Sequence, residues 1–136
     1  DDELCDPART AGLHWIRLVT PTTNDKRLAK VLQSASGFVY HVSIAGITGT
    51  RSASTDSIDD AISRLRAHTA LPLAVGFGIK DPAQVRAVTA SADAAVVGSA
   101  IVSEIKNNLD GQDRPLPTLL DNVCSLVSKL ASGVRL

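Results

Sequence analysis

Apolar positions along the chain fall into two alternating patterns. Four short runs rich in apolar and β-branched residues, at positions 15–19, 38–43, 71–76 and 94–97, are each bounded by turn residues and predict buried strands. Between them apolar residues recur with a helical period: Leu28, Val31 and Leu32, then Ile58, Ala61, Ile62 and Leu65, then Val85 and Val88. Behind Pro115 and Pro117, the series Leu119, Leu120, Val123, Leu126, Val127 and Leu130 predicts a long amphipathic helix, with the polar stretch 108–114 as the loop before it. Asp81-Pro82-Ala83-Gln84 marks a helix start, with a capping carboxylate, proline at the first helical position and a glutamine able to reach back to an orphan amide.

Repeated strand-then-helix units with near-continuous apolar strands predict a parallel sheet covered by helices, an α/β fold. Strand starts lie about 23, 33 and 23 residues apart, the spacing of single crossovers. The excess in the middle unit falls in residues 44–55, a run rich in Gly, Ser, Thr and Ala longer than a connection needs; such loops serve as lids, binding loops or linkers.

Three strands end in glycine-bearing turns: Gly46 to Gly49, Gly76-Phe77-Gly78, and Gly98-Ser99-Ala100. A residue with no Cβ lets backbone amides approach an anion. Ser99 is positioned to cap the short helical run 100–105, whose free amides would face a phosphate. Alone, each turn reads more readily as a tight connection than as a binding site. Gly76-Phe77-Gly78 lacks the third glycine of a dinucleotide fingerprint, and no P-loop lysine pattern is present. Together, glycines after the last two strands followed by a short helix fit the closing half of a (β/α)8 barrel, where phosphate is held at the C-terminal strand ends. A whole barrel needs about 250 residues.

Composition narrows the reading. Fourteen Lys+Arg balance 14 Asp+Glu, so no electrostatic footprint for nucleic acid or an anionic membrane exists. No apolar run spans a bilayer and the acidic start is unlike a signal peptide, so a cytoplasmic protein is expected. Cys5 and Cys124 stand far apart without metal-ligand spacing, and no metal is expected. With 136 residues, no methionine and four strands, the chain reads as one partial domain, residues 1–136, of a longer protein. No acid stands out as catalytic: Asp25, Asp81 and Asp93 read as caps, turns or surface charges. The three histidines need no role, and His41, alternating with Tyr40, is expected to face the helix layer.

The segments Leu18 to Thr23, Phe38 to Ser43, Gly46-Ile47-Thr48-Gly49, Leu71 to Ile79 and Gly98 to Val102 resemble the tryptophan synthase alpha chain family over nearly the whole sequence. The resemblance implies the C-terminal half of a TIM (β/α)8 barrel in a lyase. That lyase cleaves indole-3-glycerol phosphate by retro-aldol scission to indole and glyceraldehyde 3-phosphate, a step of tryptophan biosynthesis. It needs no cofactor; the pyridoxal phosphate belongs to the partner beta chain of an alpha2-beta2 complex. The family's catalytic Glu and Asp precede this segment, which alone is expected to be inactive. Carried onto this sequence, the resemblance implies that Gly49, Gly78, Gly98 and Ser99 hold the substrate phosphate and that Gly76 and Phe77 line the pocket. It implies that Tyr40 points inward near the catalytic acid and that Thr48 lies in a mobile loop that orders a catalytic carboxylate. Ile44 departs from the arginine of some members. A stand-alone lyase, another sugar-phosphate-binding barrel and a non-catalytic half-barrel are the alternatives.

Overall fold

The computed structural model describes residues 3–42, 55–76 and 78–134, without the side chains of residues 55 and 56. In chain order it consists of α1 (Cys5–Thr10), β1 (Arg17–Val19), α2 (Asp25–Leu32), β2 (Val39–Val42), α3 (Thr55–Arg66), β3 (Leu73–Gly76), α4 (Pro82–Val88), β4 (Ala94–Ala95), α5 (Ser99–Asn107) and α6 (Leu119–Ala131). The strands form a four-stranded sheet in sequential order β1-β2-β3-β4, every pair parallel. The expected α/β architecture is therefore present, with helices at every predicted stripe.

The ladders are shorter than the apolar runs. Trp15 and Ile16 precede β1, and Val96 and Val97 follow β4, because an apolar run records burial while a strand also requires paired backbone groups. Helix starts follow local chemistry. Asn24 accepts from the Arg27 amide at 2.9 Å and caps α2. Asp81 accepts from the Gln84 amide at 2.8 Å, with Pro82 opening α4. The Gln84 side chain reaches back to the Lys80 amide, one residue before the cap, at 2.7 Å.

Parallel partners share a face, so the register sorts the side chains into two layers. Val19, His41, Val75 and Ala95 form one row, and Arg17, Val39 and Leu73 another on the same face. Val39, Leu73 and Val75 are 0% exposed and His41 3%. The three apolar residues pack with Leu28, Ile62, Leu65, Val85, Val88 and Leu130 of the helices into one core. His41 thus faces the helix layer, as its alternation predicts. Leu18, Tyr40, Ala74 and Ala94 form the central row of the opposite face, with Val42 and Gly76 beyond them. Here Leu18 is 60% exposed: no helix covers this face among the described residues.

Candidate functional site

Parallel strands bring their C-terminal ends to one edge of the sheet. Gly76 closes β3 opposite Val42 of β2, and the Val96 amide just past β4 donates to the Val75 carbonyl at 2.8 Å, keeping the ends of β3 and β4 together. Gly78 follows β3 by two residues and Gly98 precedes α5, so both lie at that edge. Gly78 has φ +73°, a conformation open to glycine at little cost, and among the described residues neither Gly78 nor Gly98 has a neighbour within 4 Å of where a Cβ would stand. At Gly78 and Gly98 the described part of the edge is therefore bare backbone.

Helix α5 begins at Ser99 with Gly98 as its N-cap. This corrects the expected cap: the helix starts one residue earlier than periodicity indicates, so Ser99 is its first helical residue, and no side chain caps this end. The first amides of a helix lack intrahelical partners, and the aligned peptide dipoles favour an anion there. Ser99 is itself exposed.

Tyr40 belongs to the uncovered face and leans along it toward the same edge. Its ring and hydroxyl occupy the space that a Cβ on Gly76 would need, with Oη nearest and Cε2 at 2.9 Å. A bare α-carbon at 76 is what lets the tyrosine lie across β3. Tyr40 and Gly76 are brought together; Gly78, Gly98 and Ser99 share their sheet edge. Thr48, Gly49 and Phe77 lie outside the described residues.

The acids have structural partners. Asp81 caps α4. Asp25 pairs with Arg64 Nε at 2.7 Å. Asp93 precedes β4, at the opposite sheet edge, where it accepts from Arg66 at 2.9 Å and from the Leu73 amide at 2.7 Å. The Arg66 guanidinium, then the Leu73 amide, hold the Asp93 carboxyl below the usual carboxylate range. No carboxylate occurs in the uncovered rows Leu18-Tyr40-Ala74-Ala94 and Val42-Gly76.

One supporting residue escapes sequence reasoning. Asn108, in the stretch read simply as loop, is buried at the end of α5. Its Nδ2 donates to the Glu104 carbonyl at 2.9 Å and to Glu104 Oε1 at 3.0 Å, while Oδ1 accepts from Asn122 at 2.7 Å and Thr118 at 3.2 Å. These bonds tie α5 to α6 and so fix the helix whose N-terminus faces the edge. A lone asparagine in a polar stretch carries no periodic signal that could have revealed this. By contrast, an apolar cleft of about 180 Å³ between β4, α4, α5 and α6 is lined by aliphatic side chains such as Val85, Val97 and Leu130. It offers no chemistry.

The profile of the family described as "Tryptophan synthase alpha chain" matches residues 1–131. The chain belongs to the tryptophan synthase alpha chain family. Solved structures agree. The tryptophan synthase of Mycobacterium tuberculosis is similar at 30% identity and a TM-score of 0.80, over 98% of this chain and 47% of that one. The tryptophan synthase subunit alpha of Legionella pneumophila is similar at 28% identity and a TM-score of 0.79, again over 98% and 47%. An aminoacrylate-bound form of the M. tuberculosis enzyme gives 26% identity, a TM-score of 0.77 and coverages of 98% and 45%. The chain thus spans a little under half the length of these tryptophan synthase chains, and its four parallel strands and their helices are part of a TIM barrel. Among the described residues, no helix is long and apolar enough to cross a membrane.

Proposed function

We propose that this chain supplies the phosphate-binding half of an indole-3-glycerol-phosphate lyase site, and that the acid and base of the reaction come from a segment completing the barrel. The observation that carries this reading is the gathering of Gly76, Gly78, Gly98 and the N-terminus of α5 at one sheet edge, in a chain of this family. In this reading the substrate phosphate sits against Gly78, Gly98 and Ser99, with Gly49 joining them from the preceding loop. Gly76, Phe77 and Tyr40 line the pocket for the indole and glycerol portions.

In the retro-aldol step, the bond between the indole ring carbon and the glycerol chain breaks. The ring carbon takes a proton from an acid, and the hydroxyl on the departing carbon gives one to a base as the aldehyde forms. Two carboxylates with separated proton affinities suit this work. The uncovered face provides none in its central rows. Tyr40, held across Gly76, orients substrate beside the acid, and Thr48 orders a carboxylate when the loop excludes water. The chain's own residues ask for no cofactor in this reaction. The product indole passes to a pyridoxal-phosphate beta chain in an alpha2-beta2 assembly, in the cytoplasm.

The test is indole release from indole-3-glycerol phosphate by this chain alone, by the chain co-expressed with the amino-terminal half of an alpha subunit, and by each with beta chain added. Indole only when the completing half is present supports the reading, and stimulation by beta chain supports the assembly. A folded, completed barrel that releases none but turns over another sugar phosphate would replace it with the rival barrel function.

A further inference from the structure

We infer that His41 is an acid-sensitive latch on the helix-covered face: neutral, it lets α2 and α3 close over β2, and protonated, it forces them apart.

The geometry is specific to this histidine. His41 is 3% exposed, and its Nδ1 is buried with no hydrogen-bond partner among the described residues. It borders a cavity of about 20 Å³ shared with Val19, Thr20, Thr23, Leu28 and Arg64. A cavity that size holds about one water molecule and no hydrated counter-ion. No carboxylate borders that cavity among the described residues, so a proton on the ring would place there a charge that none of them neutralises.

The charged neighbours make protonation harder. The cation beside the ring is Arg64 of α3, which donates to Asp25 Oδ1 at 2.7 Å and to the Thr23 carbonyl at 2.5 Å. Asp25 of α2 is the nearest anion in this network, yet its side chain is 69% exposed, it is committed to Arg64, and His68 Nε2 approaches it at 3.9 Å. The flanking strands present Val19 and Val75 in the same row, neither of them charged. Burial first, and the Arg64 charge second, hold the His41 imidazole below its usual range. The sign follows from linkage. A histidine whose folded form resists protonation stabilises the fold fully above the unfolded value near 6.5, and that contribution is lost as pH falls below it.

The latch does not depend on the lyase reading, and its test uses no substrate. Two measurements on the 136-residue chain, in the assembly state in which it is purified, decide it. In an imidazole titration followed by NMR, His41 should titrate below the ordinary histidine value near 6.5. In urea unfolding, the midpoint should shift downward between pH 7.5 and pH 5.5, and His41→Leu should abolish most of that shift. A His41 that titrates at or above the ordinary histidine value, or a His41→Leu protein with the unmodified pH dependence, would overturn the inference.

Discussion

The two faces of the sheet are made of the same four strands, yet among the described residues helices cover only one. On the helix side, Val39, Leu73 and Val75 have no exposed surface, and the core runs unbroken from β1 to α6. On the other side, Leu18 is 60% exposed and Phe38 and Val96 are more than a third exposed, although all three are large and apolar. Burial of a large aliphatic side chain contributes about 1.5 to 3 kcal/mol, so such exposure forgoes stability that the helix face collects in full. The lesson is a division of labour. The covered face holds the structure together, and the face that no described helix covers ends in the glycine-bearing edge on which the proposed phosphate site rests.

The largest expected effect breaks the comparison directly. Leu73→Ala should lower unfolding stability by about 2 to 5 kcal/mol, because it leaves a cavity in packed surroundings. Leu18→Ala, the same change on the open face, should stay within about 1 kcal/mol. Urea unfolding of both variants checks this, and equal losses would show that the open face is also covered.

Next comes the contact that shapes the uncovered face. Gly76→Ala should destabilise by about 1 to 3 kcal/mol through overpacking, since the Tyr40 ring must leave its seat. Because Oη is the nearest atom, Tyr40→Phe should recover part of that loss, with a coupling of about 0.5 kcal/mol or more in a double-mutant cycle. Additive effects would place the ring elsewhere.

The glycine edge sharpens the comparison further. At φ +73°, Gly78→Ala should cost about 1 kcal/mol in stability, whereas Gly98→Ala, with φ −119° and open space, should cost about 0.5 kcal/mol or less. Thermal unfolding separates the two. On the proposed function, both should raise KM for the phosphate substrate in the completed barrel, since a methyl group would stand where the phosphate is proposed to sit.

The smallest effect belongs to Asp93. Its carboxyl is held below the usual carboxylate range by Arg66 and the Leu73 amide, so it stabilises the fold above that range, and the contribution is lost as pH falls through the lowered value. Its side chain is 41% exposed, which keeps the effect small. Asp93→Asn should flatten the acid limb of a stability profile while leaving stability at pH 5 to 7 reduced by a constant amount.

Much of this division is legible in the residues. Alternation of Tyr40 with His41 puts one on each face, and the Asp81-Pro82 start and the α6 stripe mark their helices because their signals are local. Strand length is not legible. Val96 and Val97 are as apolar as a strand requires, but the ladder ends at Ala95 because pairing depends on the neighbouring chain segment. The Ser99 cap and the Asn108 network depend on how α5 is seated, which periodicity does not encode. Tyr40, Gly76, Gly78, Gly98 and Ser99, which glycine placement and the family resemblance single out, lie on the uncovered face or at the edge where β3 and β4 end. That Tyr40 needs Gly76 is visible only in three dimensions, since 36 positions separate them.

The most direct test of the central claim, that the bare strand ends are a phosphate site, is a titration of the barrel-completed protein with glycerol 3-phosphate while the backbone amides are followed by NMR, with glycerol as the control. The account predicts that the amides of Gly78, Gly98 and Ser99 shift together with the phosphate compound and stay in place with glycerol. Shifts confined to other regions, or none in a folded, completed barrel, would contradict it.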